Sequence, residues 1–203
     1  MENFIGILIT SYSCHYPWFR KSIDSFLNTS YPTILGYDEI VFPYNLKILG
    51  NIELIVTGIK LGIQEGERWQ ILKGCEEFKK KGLKYILKVS GDQIISLPLK
   101  IPFLIEHLGE SKIISCGTEV FFAEIDSLIQ VIKLWDTNPE LHGCCIEEFF
   151  ENGFNFLNYE RKNKSKREWY ELLGWRHLHH ECLKDLDPDD RRFPNYYLEL
   201  FNK

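Results

Sequence analysis

A chain of 203 residues with 44% hydrophobic and 26% charged side chains is long enough to bury a core of its own, and its length fits one domain. A formal net charge of -5 and a pI near 5.7 argue against an extended nucleic-acid surface, because such surfaces bind by neutralising phosphates. A compact anionic ligand stays open.

Phe4 to Thr10 reads as a buried strand. It follows Glu2 rather than a basic cluster and is too short for a secretory or membrane segment, so no membrane span and a cytoplasmic location are expected. Pro17 opens a helix in which Phe19, Ile23, Phe26 and Leu27 fall on one face. Two short strands follow, Glu39 to Phe42 and Ile52 to Val56, set apart by turns at Pro43-Tyr44-Asn45 and Gly50-Asn51. A helix from about Glu65 to Lys81 carries Trp69, Leu72, Cys75 and Phe78 on one side and stops at Gly82. It leads into the strand Tyr85 to Asp92. Next come a short helix over Phe103 to His107, strands over Lys112 to Cys116 and Glu119 to Ala123, and a helix capped by Asp126 with Leu128, Ile132 and Trp135 as its inner stripe.

The last third changes character. Cys144 to Asn152 reads as a short helix stopped by Gly153, and a basic stretch runs from Arg161 to Arg167. Ser165 with Glu168 forms a capping box for a helix through Leu173 that ends at Gly174. The alternation of strands and helices implies a single α/β domain with a mainly parallel sheet flanked by helices. Its expected parts are a ligand-binding core over residues 1–123, a second region over 124–160 and a C-terminal flap or tail over 161–203. Six cysteines, Cys14, Cys75, Cys116, Cys144, Cys145 and Cys182, show no CxxC spacing, so buried free thiols are the reading ahead of a zinc site.

The segment Tyr85-Ile86-Leu87-Lys88-Val89-Ser90-Gly91-Asp92 carries the chemistry. It is an apolar run ending in a glycine and one carboxylate, and ligands of open α/β sheets collect at the carboxyl ends of such strands. Period-two alternation puts Lys88, Ser90 and Asp92 on one face. Asp92 is a metal or phosphate-site candidate; it also suits a turn. Arg68, early on its helix, is a candidate for a phosphate or base, against pairing with Glu65 or Glu67. Glu147 and Glu148 are candidate general bases, Glu147 by a small margin because it flanks the buried face, against a plain role in the helix dipole.

These residues, in this order, resemble the GT-A glycosyltransferases, single-domain enzymes that use nucleotide sugars. Ile7 to Tyr12 resembles the opening strand of that family, and Thr10, Ser11 and Tyr12 would then hold the nucleotide. Gly62 through Trp69 resembles the loop and helix start after the third strand. Ser90-Gly91-Asp92 stands where the family has its DXD motif, and Ile146-Glu147-Glu148 where it has a late acidic motif. The resemblance implies transfer of a sugar from a nucleotide-diphosphate sugar, a UDP-sugar favoured, to a hydroxyl of a glycan or other acceptor, with Mn²⁺ or Mg²⁺ as cofactor. Lys88, Ser90 and Gly91 join the nucleotide-binding set, and a late histidine, His177 or His179, completes the metal shell. One acid stands where DXD has two. Hard divalent cations often use only one or two protein carboxylates beside substrate phosphates, so one can suffice. A nucleotidyltransferase is the alternative, disfavoured because Ser11 to Tyr16 contains no glycine-rich phosphate loop. A binding domain that has lost its site is the third reading.

Overall fold

In the computed structural model the described residues are 4–11, 16–27, 29–37, 49–57, 61 and 63–178. In chain order they form β1 (Ile5–Ser11), α1 (Tyr16–Phe26), β2 (Thr33–Tyr37), β3 (Glu53–Val56), α2 (Ile63–Lys80), β4 (Tyr85–Ser90) and β5 (Gln93–Ile95). There follow α3 (Leu104–Leu108), β6 (Ile113–Cys116), β7 (Val120–Glu124), α4 (Ile125–Thr137), α5 (Ile146–Phe156), β8 (Arg161–Asn163), α6 (Lys166–Leu173) and β9 (Trp175–His177).

All seven residues of β1 are buried, as a strand covered on both faces requires. It lies beside the central β4 in a seven-stranded sheet of order β3-β2-β1-β4-β7-β6-β8. The pairs β1–β2, β1–β4, β2–β3 and β6–β8 are parallel, and β7 runs against both of its neighbours. A separate antiparallel ribbon joins β5 to β9. The alternation of β1 and β4 sends successive side chains to two apolar layers. Leu8, Ile86 and Phe121 pack against Cys75 and Phe78 of α2, Val131 of α4 and Phe149 and Phe154 of α5. Ile7, Ile9, Leu87 and Val89 belong to the opposite layer with Phe26 of α1, Leu104 of α3 and Trp169 of α6.

Several expected elements stand where the sequence places them, three points differ, and one falls outside the described residues. The strand β2 falls in a stretch to which the sequence reading assigns no element, yet all five of its residues are buried beside β1. The strand expected over Glu39 to Phe42 lies outside the described residues. Asp126 does not cap α4: the cap position belongs to Glu124, with no side-chain cap bond, while Asp126 pairs with Lys79 at 2.5 Å. Gly153 does not stop α5, which continues to Phe156 and gives way to Asn158 at φ 54°. Its role is close approach, because a Cβ there would lie 2.8 Å from Val131 Cγ1 on α4.

The capping box of Ser165 and Glu168 is present with both of its bonds, and Gly174 ends α6 in the left-handed conformation at φ 62°. Residues 161–178 are part of the packed body: β8 extends the sheet beside β6, and Trp169 is fully buried. Residues 179–203 lie outside the described residues.

Gly153→Ala tests the α4–α5 contact by sign. Alanine gains about 1 kcal/mol over glycine in an exposed helix interior, whereas overpacking a core costs about 1–3 kcal/mol. Val131 is fully buried and β-branched, so it has little freedom to give way. The expected outcome in urea unfolding is a net loss of stability; a gain would show that the helices meet loosely.

Candidate functional site

The carboxyl ends of β1 and β4 are built from local backbone clamps. Ser11 N–H donates to Gln70 Oε1 at 3.0 Å, and Gln70 Nε2 donates back to Ser11 O at 3.3 Å. Gln70 can lie flat there because Gly36 offers no side chain: a Cβ would stand 2.8 Å from its amide oxygen. Gly91 N–H donates to Thr10 O at 2.8 Å, tying the two strand ends together. The hydroxyls of Thr10 and Ser11 are buried without a hydrogen-bond partner. A buried hydroxyl of that kind asks for an explanation, and a polar ligand at the strand ends is one.

Beyond Ser90 the chain turns at Gly91 and Asp92 and enters β5. Gln93 Oε1 accepts from Ser90 N–H and from Trp175 Nε1, each at 3.0 Å, so one amide fastens the end of β4 to β9. Leu178 N–H donates to Asp92 O at 2.9 Å. The ribbon thereby brings His177 Nε2 to 3.4 Å from Asp92 Oδ2, with the aspartate 3% exposed. A carboxylate oxygen and an imidazole nitrogen facing one another form a donor pair that suits Mn²⁺, and the oxygen alone suits Mg²⁺. His179 and Tyr12 lie outside the described residues.

Lys88 is the least expected member. It is fully buried on the face toward α2, and its ammonium donates to Glu67 Oε1 at 2.5 Å, to Ser90 Oγ at 3.2 Å and to the carbonyl of Thr118. Three acceptors satisfy the three donors of an ammonium. The shared face of Lys88 and Ser90 is therefore realised, with the lysine held internally. Thr118, in the turn between β6 and β7, donates its hydroxyl to Glu147 Oε1 at 2.6 Å. Burial pushes the Glu147 carboxyl up, but the Thr118 hydroxyl, its own backbone N–H, the Cys145 thiol and the charge of Lys88 outweigh it and hold the group below its ordinary range. Glu148 turns the other way: its Oε2 accepts from Cys144 N–H at 2.6 Å on the exposed start of α5.

Arg68 is 8% exposed, bonded to Glu65 at 2.7 Å, 3.6 Å from Asp136, and seated 5.5 Å over the Trp135 ring. Its guanidinium is thus engaged by α2 and α4, with Nε alone unpartnered. The basic stretch is similarly engaged: Arg161 with Glu151, Lys164 with Glu168, Lys166 with Glu119 and Arg167 with Glu171, while Lys162 donates to the carbonyls of His107 and Leu108. Glu67, Gln70, Gln93 and Thr118 escape the sequence reading. One signal was available for Glu67, since a lysine inside a strand buried on both faces demands a buried carboxylate.

No protein-family profile matches the chain, and no curated protein matches its sequence. Solved structures do match. A protein of Desulfovibrio desulfuricans G20 named as a candidate nucleotide-diphospho-sugar transferase is similar with a TM-score of 0.56 and 11% identity, over 98% of this chain and 95% of that one. The 4-diphosphocytidyl-2C-methyl-D-erythritol synthase of Anaerococcus prevotii DSM 20548 is similar with a TM-score of 0.61 and 11% identity, over 98% and 97%. The glycosyltransferase GlyE of Streptococcus pneumoniae TIGR4 is similar with a TM-score of 0.52 and 12% identity, over 83% of this chain and 48% of that one. The chain therefore has the α/β fold that nucleotide-sugar transferases share with nucleotidyltransferases. Among the described residues no helix is long and apolar enough to cross a membrane.

Two outcomes test the polar layer. Glu67→Gln removes one partner of a buried pair and should cost about 3–5 kcal/mol in urea unfolding, whereas the Lys88→Met/Glu67→Leu double variant should cost far less than the two single changes together. Equal, additive losses would mean that the pair is solvated. Thr118→Val should raise the Glu147 carboxyl in a carbon-13 NMR titration. A depressed carboxyl stabilises the fold above its unfolded pKa, and that contribution is lost as pH falls through the folded value. The Val variant should accordingly show a weaker loss of stability in acid; an unmoved titration would remove Thr118 from this role.

Proposed function

We propose that this protein transfers a sugar from a nucleotide diphosphate sugar, UDP-linked in the leading case, to an acceptor hydroxyl. The observation that carries the reading is the meeting of Asp92, at the end of the central strand, with His177 from β9 at 3.4 Å, in a fold shared with nucleotide-sugar transferases. In this proposal Asp92 and His177 hold Mn²⁺ or Mg²⁺, which when bound neutralises charge on the diphosphate leaving group. The hydroxyls of Thr10 and Ser11 meet the nucleoside, with the turn at Ser90 and Gly91 beside the phosphates. Glu147 is the general base: it is half-buried, ionised and oriented by Thr118. It accepts the acceptor hydroxyl proton as that oxygen bonds to the anomeric carbon and the carbon–phosphate-oxygen bond breaks, which inverts configuration. Glu148 is passed over because its carboxylate already serves Cys144 N–H. Lys88 acts from within, by holding the Thr118 carbonyl rather than a phosphate.

A second reading, nucleotidyl transfer, draws support from the TM-score of 0.61 to the Anaerococcus synthase. The glycine-free turn from Ser11 to Tyr16 speaks against it.

Ligand preference separates the two. With UDP and Mn²⁺ about a hundredfold above Kd, binding should add about 2.7 kcal/mol and raise Tm by roughly 5 to 10 °C. A larger response to CTP would favour nucleotidyl transfer, and a flat response to every nucleotide would favour a domain without a site. Asp92→Asn keeps the shape and should abolish the Mn²⁺-dependent part while leaving the unliganded Tm near that of the parent. An unaltered metal-dependent shift sinks the metal assignment. Glu147→Gln should cut turnover by about 10² to 10⁴ with nucleotide affinity retained, whereas Glu148→Gln should not.

A further inference from the structure

A second cluster of ligating side chains stands at the start of α5, apart from the Asp92 and His177 pair. Cys144 Sγ, Cys145 Sγ and a carboxylate oxygen of Glu148 all lie within 4.8 Å of one another. We propose that these three residues bind a soft or borderline divalent cation, zinc in the first instance, with a fourth position left open to water or an added ligand.

Tetrahedral zinc with Zn–S bonds of about 2.3 Å needs ligand atoms about 3.8 Å apart, so the cluster is within about 1 Å of that spacing before any adjustment. All three ligating atoms end rotatable side chains, and Cys144 is exposed, so a cation can reach them from solvent. The backbone around them is held. Glu148 Oε2 accepts from Cys144 N–H at 2.6 Å, which brings the carboxylate back beside the thiols, and Gln64 Nε2 from α2 donates to Cys144 O at 2.9 Å. Gly143 is needed for this fold-back, because a Cβ there would overlap the Glu148 carboxylate.

Cys145 occupies the cap of the eleven-residue α5, so its side chain stands at the helix start beside Glu148. Two thiolates select against Mg²⁺ and Ca²⁺ and in favour of zinc-like ions. The cation would tie the loop before α5 to its first turn, and so fix the helix start on which Glu147 stands.

Cobalt(II) titration of the metal-free, fully reduced chain tests this, with thiol content verified first. The expected result is a thiolate-to-cobalt charge-transfer band in the near ultraviolet that saturates with one Co²⁺ at this site and is displaced by Zn²⁺. Cys144→Ser and Cys145→Ser should each diminish the band, and Glu148→Gln should weaken Co²⁺ binding by at least about tenfold. Cys116→Ser and Asp92→Asn should keep the band at full strength, and circular dichroism checks that every variant is folded. The absence of a thiolate band in the reduced parent, or a band that survives both Cys144→Ser and Cys145→Ser, overturns the proposal.

Discussion

An ammonium buried in the middle of a sheet is the constraint around which this site is organised. Leaving Lys88 uncompensated in that apolar layer would be prohibitive, because an isolated buried charge costs far more than a domain's whole margin of stability. The chain answers with three acceptors from three places: Glu67 on α2, Ser90 on β4 and the carbonyl of Thr118 in the β6–β7 turn. Each acceptor fixes the element that carries it. The first two turns of α2 are drawn onto β4, and the β6–β7 turn is held over the sheet so that its threonine hydroxyl reaches Glu147. Replacing such a network with apolar side chains would often be neutral or stabilising, so its presence says more about placement than about stability.

Much of the fold was legible because local chemistry and burial agree. The Ser165 and Glu168 box with Gly174 specifies α6 within eight residues of chain, and β1 and β4 announce themselves as strands buried on both faces. Disagreement marks the failures. Gly153 reads as a helix stop, yet it is a place where Val131 of another helix comes too close for a Cβ, as Gln70 does at Gly36 in the unannounced strand β2. Close approach is a tertiary fact that a lone glycine in a sequence does not reveal. Asp126 has the right residue type for a cap, but Lys79, from a helix forty-seven positions earlier, claims it in the structure.

The candidate site has its ends marked in the sequence and its middle unmarked. Asp92 could be singled out from the strand that precedes it, and His177 only through a family resemblance; the ribbon that joins them has no signature in three-residue strands such as Gln93–Ile95. Glu147 and Glu148 are adjacent acids in one helical turn, and a wheel separates them weakly. The structure separates them by partners, Thr118 for one and Cys144 N–H for the other. Arg68 had two readings, and Glu65, Asp136 and Trp135 now occupy it.

The approach of His177 to Asp92 is in the end a question of register. Gln93 pairs with His177 and Ile95 with Trp175, and a slip of one residue would carry the imidazole about 3.4 Å along the strand and turn it to the other face. A three-residue ribbon has few ladder bonds with which to resist that slip. Resistance comes from its flanks. Leu97 N–H donates to Leu173 O at 2.9 Å on one side, and Leu178 N–H to Asp92 O at 2.9 Å on the other, while the amide of Gln93 locks Trp175 in between. The turn into β9 is made by Gly174, whose φ of 62° suits glycine and costs a residue with a Cβ. The helix cap, the indole bond and the donor pair are therefore one device, in which turn chemistry at the end of α6 decides whether an imidazole and a carboxylate meet at the end of β4.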